Sequence, residues 1–313
     1  MVGAKGFEPS TLWSQTRCAT RLRYAPTARI VTAQRSGFAG GIHLCHNHLE
    51  ICTDFDSKMT QSTSNSSIEW LAQGQEFPPV HQAWGVTSDA PGLLCAGSDL
   101  SVPTLLKAYR QGIFPWFSQG QPILWWSPSP RMVLHVDEFI LHRSLKKTLQ
   151  RFANSASCEI RMDHAFNNVI DLCSQTPRTG QNGTWILPDM VNAYQCLHSA
   201  GFAHSVETWI DGELVGGLYC VAIGSAIFGE SMFQRQNNAS KIALCALVCW
   251  CRHQQIQQID CQQNTRHLSS LGAREIPREI FIEKLEGFTH QDEKCWIFSN
   301  NWWHEWMLDR AKT

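Results

Sequence analysis

From about Ser67 onward the apolar positions recur with a period that switches between helix and strand, whereas residues 1–66 sustain no period at all. In SVPTLLKAYRQG (101–112), Pro103 sits near the first turn, Leu105, Leu106 and Tyr109 share one face, and Gly112 follows as a stop, which predicts a short helix. The next stretch, GIFPWFSQGQPILWWSPSPRMVL (112–134), is interrupted by Pro115, Pro122, Pro128 and Pro130, which remove backbone donors and fix φ. It reads as a stiff loop with short strands, carrying Trp116, Trp125 and Trp126. LHRSLKKTLQRF (141–152) reads as a helix with one charged face, and LPDMVNAYQCLHSAG (187–201) as an amphipathic helix opened by Pro188 and capped by Gly201. HSVETWIDGELVGGLYCVAIGSAIFGESMF (204–233) alternates as a three-strand meander, with Asp211-Gly212 as a two-residue hairpin signal. A helix from near Asn238 and a strand, QIDCQ (258–262), complete an α+β pattern.

Composition narrows the class. A chain of 313 residues with 43% hydrophobic and 17% charged positions can bury a substantial core in one or two domains. No run of about 18 uncharged apolar residues occurs, and the N-terminus lacks the apolar block of a secretory signal, so a cytoplasmic protein without a membrane partner is expected. The 13 cysteines are scattered, and several lie in apolar runs such as KIALCALVCWC, which predicts buried free thiols. A net charge of −1 means that a nucleic-acid partner needs a local basic face. Arg131, Arg143, Lys146, Lys147, Arg151 and Arg161 supply a candidate just after the aromatic stretch. Such charges usually mark a solvated helix face, but beside aromatic rings they suit an RNA 3′ end, where stacking is worth about 1–3 kcal/mol per base.

The chain divides into an extension (1–66), a small N-terminal domain with the Trp/Pro-rich loop (67–129) and a larger domain (130–313), with MTQSTSNSS (59–67) as a polar linker. The extension is expected to be disordered or mis-assigned. GFEPSTLWSQTRCATRLRYAP (6–26) resembles the translation of a transfer-RNA gene, because Gly-Phe-Glu-Pro can be encoded by a T-arm sequence, so a natural start at Met59 is expected. The intact mass of the natively expressed product tests this. His43, Cys45, His46, His48 and Cys52 have zinc-like spacings but lack a downstream ligand pair, which favours coincidence.

Glu230 follows the third meander strand, and Asp260 and Gln262 fall on one face of the QIDCQ strand by its period of two. Polar groups on one face among apolar neighbours make a candidate site, although a single carboxylate is more often an ion-pair partner. FQRQNNAS (233–240) resembles the pyrophosphate loop of acyl-CoA-dependent acetyltransferases, with Gln234, Asn237 and Ala239 in register. Asn in place of Gly tolerates φ > 0 but puts a side chain where phosphates would approach, so this likeness implies the fold more than CoA binding.

YRQGIFPWFSQGQPILWWSPSPRMVL, GTWI, AHSVE, ELVGGLYCVAIGSAIFGESMF, NASK, IDCQ and HLSSLGAREIPR, in this order over about residues 70–290, resemble the bacterial leucyl/phenylalanyl-tRNA–protein transferases. The resemblance implies a smaller α+β N-terminal domain followed by an acetyltransferase-like domain with a mixed sheet. It implies a monomer without metal or cofactor that transfers Leu or Phe, less readily Met, from aminoacyl-tRNA to proteins with N-terminal Arg or Lys, marking them for degradation. By the same resemblance, Trp116, Tyr109 and Trp185 contact the tRNA 3′ adenosine and Glu230, Asp260 and Gln262 form the catalytic group. Leu218, Ile227, Phe228 and Met232 would line the amino-acid side-chain pocket, with Arg131, Arg143, Lys146, Lys147 and Arg151 on the tRNA backbone. Asp260 would orient or deprotonate the attacking amine, and Glu230 would pair with the acceptor's basic side chain. Ser98, where a second Gly is usual, and the loop QQNTRH (262–267) depart from the family pattern. Two other readings stand beside this one: a transferase acting on cell-wall precursors, which normally duplicates the acetyltransferase domain, and a non-catalytic RNA-binding module, which leaves Glu230, Asp260 and Gln262 idle.

Overall fold

The computed structural model of the chain describes residues 68–176 and 186–309, all within one compact unit. The expectations for the N-terminal extension and for Trp185 lie outside the described residues. A first sheet takes the order β1-β2-β4-β3, from β1 (Glu69–Leu71), β2 (Leu93–Gly97), β3 (Phe114–Pro115) and β4 (Leu124–Trp126). Between β2 and β3 runs α1 (Val102–Arg110), which buries Leu105, Leu106, Ala108 and Tyr109. Its first turn is held by Asp99, whose Oδ1 accepts from the Ser101 N–H at 2.9 Å and the Thr104 hydroxyl at 2.8 Å. Ser98 keeps the turn before it by adopting the left-handed conformation (φ 60°), with its N–H bonded to the Leu71 carbonyl at 2.8 Å.

The aromatic stretch is mostly core. Trp116, Trp125 and Trp126 are 2%, 0% and 0% exposed, so their bulk fills the small sheet rather than forming an open platform. Trp126 Nε1 donates to the Trp116 carbonyl at 2.6 Å and Trp125 Nε1 to that of Gly97 at 3.0 Å, which satisfies two indoles inside.

The second sheet has seven strands in the order β11-β5-β10-β9-β8-β7-β6. They are β5 (Arg131–His135), β6 (Cys158–Met162), β7 (Ala203–Ile210), β8 (Glu213–Ile223), β9 (Ala226–Gln234), β10 (Gln258–Gln262) and β11 (Arg274–Ile276). The sheet is mixed, because β9 and β10 pair in parallel while the other neighbours are antiparallel. The β7–β8 hairpin turns at Asp211 (φ 53°) and Gly212 (φ 78°), the paired positive φ of a type I′ turn.

Helices cover both faces. On one side α3 (Phe166–Gln175), α4 (Pro188–Ser199) and α7 (Arg278–Thr289) join α1 and the first sheet in a single apolar cluster. On the other, α2 (Arg143–Ala153), α5 (Ala239–His253), α6 (Arg266–Ser270) and α8 (Asn301–Asp309) share a second cluster. Gly216 lets the start of α5 reach β8, since a Cβ there would lie 2.5 Å from that of Ala239. The left-handed residue before α5 is Asn238 (φ 66°), one place later than the Asn237 of the loop comparison. The cysteines of α5 are buried free thiols, and burial pushes Cys249 up to about 12. Among the described residues no helix is long and apolar enough to cross a membrane.

Candidate active site

Two interruptions of the sheet place the polar residues. β8 pairs Cys220 with Gly229 and Tyr219 with Ser231, so Glu230 is the extra residue of a bulge. β9 pairs with β10 at Ile227–Ile259 and Phe228–Asp260. β10 in turn pairs Asp260 with Val133 and Gln262 with Met132, skipping Cys261, and Gln262 takes φ 62°. Ile259 and Cys261 join the α5 cluster, while Asp260 and Gln262 share the opposite face, as the alternation predicts.

On that face two buried networks meet. Glu230 Oε1 accepts from the Tyr109 hydroxyl at 2.7 Å and from Gln262 Nε2 at 3.0 Å, and Oε2 accepts from the Tyr194 hydroxyl at 3.3 Å. The two phenols also hydrogen-bond to each other. Burial pushes the Glu230 carboxyl up to about 7; Asp260 adds to the rise, while the tyrosine hydrogen bonds and the Arg131 charge oppose it. Burial likewise holds both phenols well above their usual range. The second network is a fork: Arg131 Nε donates to Asp260 Oδ1 at 2.8 Å and Nη2 to Oδ2 at 2.6 Å. Arg131 Nη1 donates to the Gly112 carbonyl at 3.1 Å, and the Gln262 N–H donates to Asp260 Oδ1 at 2.9 Å. Both charged partners are almost wholly buried, so removing either alone costs about 3–5 kcal/mol by leaving an uncompensated ion.

This arrangement corrects two expectations. Arg131 is 1% exposed and its guanidinium is committed to Asp260 and Gly112, so it does not face phosphate. Phe228 does not pack in one cluster with Leu218, Ile227 and Met232. Adjacent strand residues point to opposite faces, and Phe228 packs on Tyr109 with ring centroids 4.9 Å apart, whereas the other three join the α5 cluster. Phe228 and its neighbour Ile227 both line a small cavity with Asp260, Gln258, Phe281 and Leu285.

Trp116 packs against Trp126, and its buried Nε1 has no hydrogen-bond partner among the described residues. On α2, Arg143, Lys147 and Arg151 are exposed and Lys146 half-buried, and the helix packs on the sheet face away from Glu230. Arg161 lies over the Trp209 ring and pairs with Glu159. Sequence reasoning missed Tyr194, which its helical spacing marked only as apolar core, and Arg131 as a partner of Asp260. A buried strand carrying one arginine, PRMVL, was the available signal for the latter. Among the described residues no group of three or more His, Cys, Asp or Glu comes together as a metal site.

Comparison with known proteins gives this geometry a context. The family model described as leucyl/phenylalanyl-tRNA protein transferase matches residues 133–286, and that of its N-terminal domain residues 98–129. A leucyl/phenylalanyl-tRNA–protein transferase of Polaromonas sp. is 59% identical over 246 residues, covering 79% of this chain and 96% of the relative. Those of Albidiferax ferrireducens and Leptothrix cholodnii are 55% identical over 250 residues and 56% over 240, covering 80% and 75% of this chain and 98% and 94% of the relatives. Because these matches run through both sheets and nearly the full length of each relative, the chain belongs to the leucyl/phenylalanyl-tRNA–protein transferase family.

Proposed function

We propose that the chain is an aminoacyltransferase that moves Leu or Phe, and less readily Met, from charged tRNA to the N-terminal amine of a protein beginning with Arg or Lys. The product's new N-terminus would mark that protein for degradation. The observation that carries the site assignment is a buried carboxyl held near 7 and hydrogen-bonded to the Gln262 amide, in a chain of this family.

The aminoacyl ester is already activated, so placing a neutral amine against its carbonyl supplies much of the catalysis, up to about 7–11 kcal/mol. The C–N bond forms as the ester C–O bond breaks, and the ribose oxygen leaves with a proton. An α-amine titrates near about 7.7–8.0, and a carboxyl held at about 7 is ionised often enough near neutrality to take that proton. Gln262, by donating its Nε2 to Glu230, leaves its amide carbonyl to accept from the incoming amine. Asp260 fits the base role less well, since the Arg131 fork holds both of its oxygens in a buried ion pair. Glu230 as an ion-pair partner for the acceptor's basic side chain also fits poorly, because burial favours its neutral form.

The unpaired Trp116 indole N–H supports its contact with the terminal adenosine, which offers ring nitrogens and ribose oxygens as acceptors. The exposed cations of α2 support a contact with tRNA phosphates, and Leu218, Ile227 and Met232 remain together as pocket candidates. The test is label transfer from radiolabelled Leu-tRNA to two proteins that differ only in beginning with Arg or Ala. Transfer to the Arg protein alone is expected. No transfer while charged tRNA still binds would move the assignment to a binding module or a non-protein acceptor.

A further inference from the structure

Resting on the transfer activity proposed above, we infer that Arg131 is a positioning residue for that reaction: its fork fixes Asp260, and Asp260 fixes the turn that aims Gln262 at Glu230. The chain of contacts is continuous. Arg131 enters the site from β5, with its guanidinium over the rings of Phe114 and Phe281 at 4.9 and 4.8 Å from their centroids. Packed against both rings, the guanidinium places its Nε and Nη2 on the two Asp260 oxygens in the bidentate geometry that only arginine provides. Nη1 reaches the Gly112 carbonyl at the end of α1, the helix that also carries Tyr109.

Asp260 then acts on the backbone. Gln262 has φ 62°, a conformation that an L-residue with a long side chain adopts only when its surroundings hold it. The holding contact is the Gln262 N–H to Asp260 Oδ1 bond at 2.9 Å, on the same oxygen that receives Arg131 Nε. From that turn the Gln262 side chain meets Glu230 at 3.0 Å. Without the guanidinium, a carboxylate that is 2% exposed keeps no salt-bridge partner among the described residues, and its hold on the turn weakens. Arg131 touches neither reacting atom in this scheme and acts through Asp260 alone.

The experiment measures kcat and KM for Leu-tRNA in the full chain, per folded molecule, for the parent, Arg131→Lys, Arg131→Met, Asp260→Asn and the Arg131→Met/Asp260→Asn pair. Arg131→Lys keeps the charge but not the fork, and the expected result is a kcat about 10- to 100-fold lower with KM changed by less than about 3-fold, the signature of a misplaced group. Because both residues act in one line, the double variant should be no slower than the slower single variant. Should Arg131→Met fail to fold, the lysine variant and the double variant, which leaves no unpaired ion, carry the test. Parent-like kcat in Arg131→Lys overturns the inference, as does a lowered melting temperature with unchanged kcat, which marks a mere brace. A raised KM at constant kcat overturns it in favour of phosphate contact, and losses that multiply in the double variant overturn it in favour of independent roles. A parent chain that transfers nothing in the same assay removes the transfer reading itself, and the inference with it.

Discussion

Glu230→Gln removes one titrating proton from the interior while keeping the shape of the side chain. In the native protein burial holds this carboxyl at about 7, against 4.5 for an ordinary glutamate. Between those values the native state keeps a proton that the unfolded chain has released, so stability from this group is complete below about 4.5 and is lost as pH rises through about 7. At about 1.36 kcal/mol for each pH unit separating the two states, the loss between pH 5 and pH 8 is about 2–3 kcal/mol. Because Glu230 is only 2% exposed, little solvent screening reduces this figure.

The assay is urea unfolding of parent and variant at half-unit steps from pH 5 to pH 8. All other titrating groups contribute to both chains, so the difference between the two curves isolates residue 230 to the extent that its neighbours do not respond. The parent should lose about 2–3 kcal/mol more than the variant over this range, most steeply between about pH 5 and pH 6.5 and levelling off above about pH 7. Parallel curves would refute the argument that burial holds the carboxyl protonated. Transfer activity supplies a second readout: the parent rate should climb through about pH 7 as Glu230 ionises, whereas the variant should be about 100-fold slower and retain only the gentler rise from the amine itself.

Gly112→Ala should destabilise the fold by about 1–3 kcal/mol in urea unfolding, because φ is 72° and the new Cβ would lie 2.3 Å from Ile282 Cδ1; it should also slow transfer by shifting the carbonyl that anchors Arg131. Trp126→Phe should cost about 1–3 kcal/mol more than Trp116→Phe, since only the former orphans a buried carbonyl, and equal losses would contradict this; Trp116→Phe should instead raise KM for Leu-tRNA. Reversing Arg143, Lys147 and Arg151 to Glu should raise KM for Leu-tRNA and flatten its salt dependence, with kcat kept; a fall in kcat alone would remove these residues from the tRNA contact.

The parts of the fold legible in the sequence were those set by local periodicity and turn chemistry. Leu105, Leu106 and Tyr109 share a helix face, Asp211-Gly212 turns a hairpin, and Asp260 and Gln262 share a strand face, because each pattern is complete within a few residues. Arg131 was illegible for the opposite reason: grouped with its chain neighbours it looks like one member of a basic run, while the partner that defines it stands 129 residues away. Tyr194 carries two messages on one ring. Its spacing reports the apolar body that packs into the core, and only the tertiary structure reveals the hydroxyl aimed at Glu230.

Alternation puts Asp260 and Gln262 on one face, but the bulges at Glu230 and Cys261 that complete the site are not readable from it. A regular β9 would match every residue to a partner on β8, whereas the extra residue at Glu230 lets its carboxyl reach phenols from α1 and α4. The skip at Cys261 is coupled to the positive φ of Gln262, and that conformation is held by a side chain, Asp260, itself held by Arg131. The site is therefore assembled by departures from sheet geometry, each stabilised by a buried polar contact. Arg131, which holds Asp260, lies 129 residues from it in sequence, which is why the chemistry of Glu230 and Gln262 is visible in the motifs and its support is visible only in the structure.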